Sequence, residues 1–455
     1  MNTMKTPRRL MLGLLSVGLM ALLLSCGGGG GSGSGSVGGL GVGAGGATQT
    51  DTGGDTSTGA GTGTGTGSTG SGGSGGTGGD TTAGNSNTDG SGVGSGGTGV
   101  TADAAGIGAA DGLGSIILNG LRYDTDSATF TIEDATELQI GMSARVAGKV
   151  DANFTSGVAT QVQSAAELRG AASGIDTSAG SFVVMGTVVS IDSATVWADA
   201  NGLADINLNS IVQVWGLPSA PGALRATRIQ IAPTLTDPLV TGTVQNLDTV
   251  GKTFTLGQLT INFSSAAFTG MNASSLANGI IVRARSTAPP IAGVLTATTV
   301  QGWYAIPVSD GIAVQLAGVI TDFGSRSSFK VLGTPVDATN AQITGGPPNA
   351  QLGNGVKVEV DGFMSGGVLV VKKLRIRNVP GTGGPASFTL IGAIGAYQSP
   401  ASFRVRGQPV DAGGSGVIFE NGTAANLGNG QRVTVVGDRV VDGVLIAQRV
   451  TFTTP

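Results

Sequence analysis

Residues 352–369 read LGNGVKVEVDGFMSGGVL, and residues 427–445 read LGNGQRVTVVGDRVVDGVL. In both, Val358-x-Val360 and Val433-x-Val435 alternate apolar with polar side chains. That is the period of a strand with one face in a core and the other toward water. The Asn-Gly pairs at 354–355 and 429–430 signal tight turns. Gly362 and Gly437 are expected to end their strands at a bulge or corner.

Working outward, the same frame recurs. The fourth copy adds Gly318-x-Ile320, Phe329-x-Val331-x-Gly333, Val336-Asp337 and Ala341-x-Ile343. The fifth adds Gly392-x-Ile394, Phe403-x-Val405-x-Gly407 and Val410-Asp411. Earlier copies keep Gly242-x-Val244 with Phe254-x-Leu256, Phe182-x-Val184-x-Gly186 with Val212-x-Val214-x-Gly216, and Tyr123-Asp124 with Val146-x-Gly148. Asp176–Gly180 and Asp248–Gly251 read as hairpin loops. No helical stripe is long enough to predict a helix, and only short turns are expected around Asn349–Leu352 or Thr423–Leu427.

Each unit holds about five or six strands in roughly 65–75 residues, a size at which one core is marginal. Closing the sheet removes its edges. The expected fold class is all-β: five tandem small OB-like barrels, or small sandwiches. The units are placed at 106–167, 168–236, 237–304, 312–379 and 387–455.

The first quarter of the chain is different. Lys5, Arg8 and Arg9 precede an apolar run from Leu10 to Leu24, the order of a secretory signal over residues 1–25. The run is about 15 residues, short of the roughly 20 that a membrane span needs. Leu23-Leu24-Ser25-Cys26 resembles the lipobox of bacterial lipoproteins, and Cys26 is the sole cysteine of the chain. That resemblance implies cleavage before Cys26, lipid attachment to it, and a membrane partner through that anchor. Gly27 follows the cysteine where Asp would imply inner-membrane retention, so the resemblance implies the outer membrane, facing periplasm or cell surface. Residues 26–105 are almost all Gly, Ser, Thr and Asp, and read as a disordered tether with an r.m.s. reach of about 50 Å. Gly72–Gly76 fits G-x-S-x-G and Gly75–Asp80 fits the start of a calcium nonapeptide, but neither has the context its chemistry needs.

Composition excludes several functions. The chain has no histidine, which removes the usual general base and the commonest transition-metal ligand. One cysteine excludes an internal disulfide framework. Without the signal's three cations the net charge is −7, and no nucleic-acid partner is expected of a chain lacking a basic footprint. No catalytic constellation, cofactor or metal site is read, so an enzyme is not expected.

The repeat landmarks resemble the bacterial DUF5666 family, found in tandem in secreted and lipid-anchored proteins. Gly112–Asp124 resembles the opening of one copy, and Glu167–Gly170 with Ile175-Asp176 and Phe182–Val184 resembles the start of the next. Ala223–Ile229 resembles its closing strand. The resemblance implies a fold and transfers no catalytic residue.

Two sets of side chains stand out. The recurring acid (Asp124, Asp337, Asp411, with Asn262 in its place once) is expected to accept backbone hydrogen bonds in a turn, a task Asn performs equally well. Lys373, Arg375 and Arg377 share one strand face, as do Arg404 and Arg406. These five form a candidate anion-binding face if the two strands adjoin; otherwise they are a solvated outer face. Trp303-Tyr304 is expected to pack between neighbouring units. The leading expectation is a non-catalytic envelope lipoprotein with a structural or adhesive role. The alternative is a module that binds an anionic envelope polysaccharide or lipid through the basic face; a protein partner is also possible.

Overall fold

The computed structural model describes residues 101–346, 351–377 and 387–453. Alternating apolar residues and frequent turns build 31 strands among them. Unit 1 holds β1 (Thr101–Leu113), β2 (Ile116–Leu118), β3 (Leu121–Asp124), β4 (Thr129–Ile132), β5 (Ser143–Asp151) and β6 (Gly157–Ser164). Unit 2 holds β7 (Leu168–Asp176), β8 (Ser181–Val184), β9 (Thr187–Ser190), β10 (Val196–Trp197), β11 (Ile211–Ala220) and β12 (Ala223–Ile231). Unit 3 holds β13 (Leu239–Asp248), β14 (Thr253–Leu256), β15 (Leu259–Asn262), β16 (Ala267–Thr269), β17 (Ile281–Arg285), β18 (Val294–Thr296) and β19 (Thr299–Gly302). Unit 4 holds β20 (Ala313–Ser325), β21 (Ser328–Val331), β22 (Thr334–Asp337), β23 (Gln342–Gly345), β24 (Lys357–Ser365) and β25 (Val368–Ile376). Unit 5 holds β26 (Phe388–Ser399), β27 (Ser402–Val405), β28 (Gln408–Asp411), β29 (Ile418–Glu420), β30 (Arg432–Val441) and β31 (Val444–Phe452).

One pairing plan repeats. In unit 4, β20 pairs β21 and β21 pairs β22, both antiparallel, and β22 lies parallel to β25. β25 then pairs β24, and β24 returns to β20, which closes the ring. β23 continues β22's place along β25. Units 1, 2 and 5 close the same way. A five-position barrel closed by one parallel contact is the OB-like order. Unit 3 closes too, but its last strand is split: β18 pairs β15, while β19 pairs β17.

The split has a local cause. Gly148, Gly216, Gly362 and Gly437 each sit at a register shift in the last hairpin of their ring. Gly362 and Gly437 therefore make the expected bulge, yet they lie inside β24 and β30 and do not end them. A Cβ on Gly362 would lie 2.2 Å from the Val370 carbonyl oxygen, and one on Gly437 2.2 Å from that of Ile446. Unit 3 carries Ser286 at this position, and β17 stops at Arg285.

The Asn-Gly pairs also do a specific job. Asn278, Asn354 and Asn429 accept a backbone N–H from the first strand of their ring at 3.0, 2.8 and 2.8 Å. The following glycines take positive φ and donate to the same strand: Gly279 to Val244, Gly355 to Ile320 and Gly430 to Ile394. The turn thus locks the fourth ring position onto the first. The hairpin loops form as read, with Asp176 and Asp248 accepting N–H groups of their own turns. The short turn expected at Thr423–Leu427 is a 3₁₀ turn at Ala424–Asn426.

Two expectations need correction. Residues 101–105 belong to β1 and not to a tether. Thr-Ala-Asp-Ala-Ala has too little apolar surface to show alternation; pairing with β5 and, from Ala104, with β20 orders it. Nor does every unit keep a wholly separate interior. Apolar residues of units 4, 5 and 1 form three clusters, but those of units 2 and 3 form one continuous cluster, from Leu168 to Val300. A small fifth cluster of Met142, Ala166, Trp215 and Leu239 lies where units 1, 2 and 3 meet.

Gly437→Ala is expected to destabilise the protein by about 1–3 kcal/mol, because a strand carbonyl must move. Gly428→Ala is the control, since no atom lies within 4 Å of its would-be Cβ. Urea unfolding of both variants measures the difference.

Candidate functional site

The basic strand of unit 4 meets carboxylates. Arg375 Nε donates to Glu359 Oε2 at 2.9 Å, and its NH1 lies 3.0 Å from Asp361 Oδ2. Arg377 donates to Glu359 Oε1 through both Nε, at 2.7 Å, and NH2. The carboxylates come from the adjacent strand β24 and are buried. Unit 1 covers the group: Arg375 NH2 donates to the Asn119 carbonyl at 2.8 Å, and Lys373 Nζ to that of Asn153 at 2.5 Å. Asp361 Oδ1 accepts from Gln315, whose own oxygen accepts from Tyr123 of unit 1 at 2.5 Å. The face is therefore a polar junction between rings.

A second junction joins units 1, 2 and 3. Glu167 is 0% exposed and Arg283 1%, and they pair at 3.0 Å. Arg283 Nε donates to the Ala166 carbonyl, while Trp303 Nε1 (3.1 Å) and Ser143 Oγ (3.2 Å) donate to the Glu167 carboxylate. The Arg283 guanidinium lies 5.5 Å from the Tyr304 ring centre. Trp303 and Tyr304 thus sit between units, as expected. Next to them Asp134 receives Arg169 at 2.5 Å and Arg285 at 2.8 Å, and Arg285 also pairs with Glu133 at 2.8 Å. Burial alone would raise the Asp134 carboxyl, but hydrogen bonds and charge from Arg285 and Arg169 hold it below its usual range.

Other buried ionisable groups lie nearby. Asp111 is 1% exposed, and neither of its carboxyl oxygens makes a well-formed hydrogen bond. Burial, reinforced by the Glu359 carboxylate, pushes it well above the usual carboxylate range against the pull of Arg377 and Lys357. Burial also lowers Lys357 despite Asp192 and Glu359. Arg228 donates to the Ile140 carbonyl at 3.0 Å and to Gln139 Oε1; burial brings it down to about 10.

Arg404 and Arg406 lie elsewhere. Arg404 NH1 donates to the Gly407 carbonyl at 2.6 Å and Arg406 Nε to that of Ile391 at 3.2 Å, and both side chains edge a cavity beside Leu113 and Glu137. Neither Lys373, Arg375 nor Arg377 lines that cavity, so the five cations do not form one face there. The recurring acid is a turn residue: Asp124, Asp337, Asp411 and Asn262 accept the N–H two residues on, at 2.9, 2.8, 2.8 and 3.0 Å. Cys26, residues 1–25 and the tether up to residue 100 lie outside the described residues. Among the described residues no group of three or more His, Cys, Asp or Glu is placed to hold a metal ion.

Sequence reasoning missed the junctions. Arg169, Arg283, Arg285, Glu359 and Asp361 occupy the polar beat of strands, and Glu167 the link before β7, and all read as solvent-facing. The signal was present as opposite charge at one repeat position: Arg283 and Arg285 of unit 3 stand where unit 4 has Glu359 and Asp361.

Two substitutions test these assignments. Glu167→Gln leaves Arg283 charged and uncompensated, and is expected to cost about 3–5 kcal/mol in urea unfolding. Asp111→Asn is expected to raise the melting temperature at pH 7. A carboxyl whose folded pKa is raised destabilises the fold above the unfolded value of about 3.9, increasingly as pH rises toward the folded value. The gain should therefore vanish below about pH 4, which melting curves across pH would show.

No curated protein matches the chain. The family model for DUF5666, a domain of unknown function, matches residues 106–163, 169–230, 317–373 and 391–451. These stretches fall on units 1, 2, 4 and 5, leaving unit 3, with its split strand, outside them. Together they span just over half of the sequence, and the chain belongs to the DUF5666 family, in tandem copies.

Proposed function

We propose that this protein is a non-catalytic lipoprotein of the bacterial envelope, in which the β-units act as one stiff body held off a membrane by a lipid on Cys26 and a glycine-rich tether. The observation that carries the reading is the use made of the charged strand faces. Independent modules on a string would show those faces to solvent or to a ligand. Here Glu167 pairs with Arg283 and Asp134 with Arg169 between units, and the Glu359–Arg375 pair of unit 4 is covered by the Asn119 carbonyl of unit 1. An unpaired charge in such a junction is costly, so the pairs favour one mutual arrangement of the rings.

The anchor reading rests on the order of basic residues, apolar run and cysteine at residues 5–26. With Gly27 after the cysteine, the same reading favours the outer membrane. Two or three acyl chains would suffice for stable attachment, and a coil of about 50 Å lets the folded part clear the lipid surface. The role is structural or adhesive, and no reaction is assigned.

Cys26→Ala is expected to move the protein from the detergent-soluble membrane fraction to the soluble periplasmic fraction. Unchanged membrane association would overturn the anchor. The stiff-body reading predicts one calorimetric unfolding transition for the intact chain. Separate transitions for individual rings would overturn it.

A further inference from the structure

The five rings are near-copies, so each serves as a control for the others. Two side chains depart from the shared pattern, in different rings, and both line one cavity.

The first is Phe130, on β4 of unit 1. Its counterpart by strand register is buried Trp197 in unit 2, while Phe268, Ile343 and Phe419 pack against the cores of units 3, 4 and 5. Phe130 is 46% exposed. A 3₁₀ turn follows this strand in units 2, 3 and 5, at Leu203–Asp205, Ala273–Ser275 and Ala424–Asn426. In unit 1 the corresponding residues 133–142 form none, because they run into the seams between rings. Glu133 and Asp134 meet Arg285 and Arg169, and Gln139 and Ile140 accept from Arg228. Leu138 of that segment still packs against the core of ring 1, but the Phe130 ring is left uncovered.

The second is Arg406, in the turn after β27. This turn takes a positive φ in every unit, at Asn119, Met185, Gly257, Leu332 and Arg406. Asn119, Met185 and Leu332 are buried there, whereas Arg406 is exposed. Its backbone conformation and its hydrogen bond to Ile391 aim the guanidinium across the seam toward unit 1.

Phe130 and Arg406 line the same cavity of about 380 Å³. A second cavity, of about 270 Å³, adjoins it through shared Leu113, Glu137, Leu138 and Arg406, and adds Arg404. The result is an elongated groove with an open aromatic face, two arginine forks and polar walls. An exposed ring offers a platform for the apolar face of a sugar. Arginine matches a carboxylate in a planar fork. Asp126 and Glu137 can accept sugar hydroxyls, and their charge disfavours a densely charged polyphosphate or an anionic lipid surface.

We propose that this groove between units 1 and 5 binds an acidic glycan of the uronic-acid type, with Phe130 under a sugar ring and Arg406, with Arg404, on its carboxylate. This goes beyond the anchored-body reading and does not need it to hold.

The test is calorimetric titration of the mature chain with an oligogalacturonate, a neutral malto-oligosaccharide of equal length, and inorganic polyphosphate. Oligogalacturonate is expected to bind and to weaken as salt rises, and the neutral sugar not to bind. Phe130→Ala and Arg406→Gln should each weaken binding about tenfold or more, a difference of at least about 1.4 kcal/mol. Phe130→Tyr, which keeps the ring, should bind as the parent does. Both positions are exposed, and leucine and methionine adopt the Arg406 backbone conformation in sister rings, so melting temperatures should hold. No oligogalacturonate binding at millimolar concentration overturns the proposal. So does binding unchanged by Phe130→Ala, or polyphosphate bound more tightly than the glycan.

Discussion

Each ring closes through its first strand, and that strand has one bare edge. Within its own ring, the opening half pairs only with the fifth ring strand, and the second half with the second ring strand. The opening half therefore presents unpaired N–H and C=O groups on the other side, a site for pairing with another chain or module. All five first strands have such a partner. β1 pairs β20 through Ala104–Ile107 and β26 through Gly112–Leu113, both parallel. β7 pairs β13 through Leu168 and Arg169. The rings assemble because closure leaves this one edge unsatisfied.

Edge pairing brings together the outward faces of the first and fifth ring strands, and these faces carry charge. Taking a carboxylate or guanidinium out of water is costly unless an opposite charge and hydrogen bonds replace the lost hydration. The link between rings 1 and 2 contributes Glu167 and ring 3 the matching Arg283; the segment after β4 brings Glu133 and Asp134 to Arg285 and Arg169. Such pairs give little net stability relative to apolar substitutes. Their effect is on register, since a slip of one residue along β7 or β20 would strand a buried charge.

Strands, turns and closure were legible because they follow from local rules. Val358-x-Val360 shows its period within three residues, and Asp337 or Asn262 shows its turn role by exchanging one for the other. The junctions were not legible, because a polar residue on the outer beat of a strand looks the same whether water or another ring faces it. Lys373, Arg375 and Arg377 illustrate this: their spacing correctly placed them on one face, but the carboxylates that meet two of them sit on β24, and the covering carbonyls come from unit 1. Residues 101–105 were lost for a different reason, since alanine and threonine give no alternation and only their partners order them.

Repetition within one chain separates what the barrel needs from what the assembly adds. The bulge glycine is present in four rings; where Ser286 replaces it, the last strand breaks into β18 and β19, so the glycine serves the barrel. The Asn-Gly lock is shared by units 3, 4 and 5, and Gly141 and Asn209 make the corresponding backbone hydrogen bond in units 1 and 2, so it too belongs to closure. The charges on the fifth ring strand vary in sign from ring to ring, which marks them as parts of particular junctions. Residues 133–142 go further. They give up the 3₁₀ turn found at the same place in three other rings, and that loss serves two ends at once: it supplies acids to the seam with rings 2 and 3, and it uncovers Phe130. A segment diverted to hold rings together has thereby created the most open aromatic surface among the described residues.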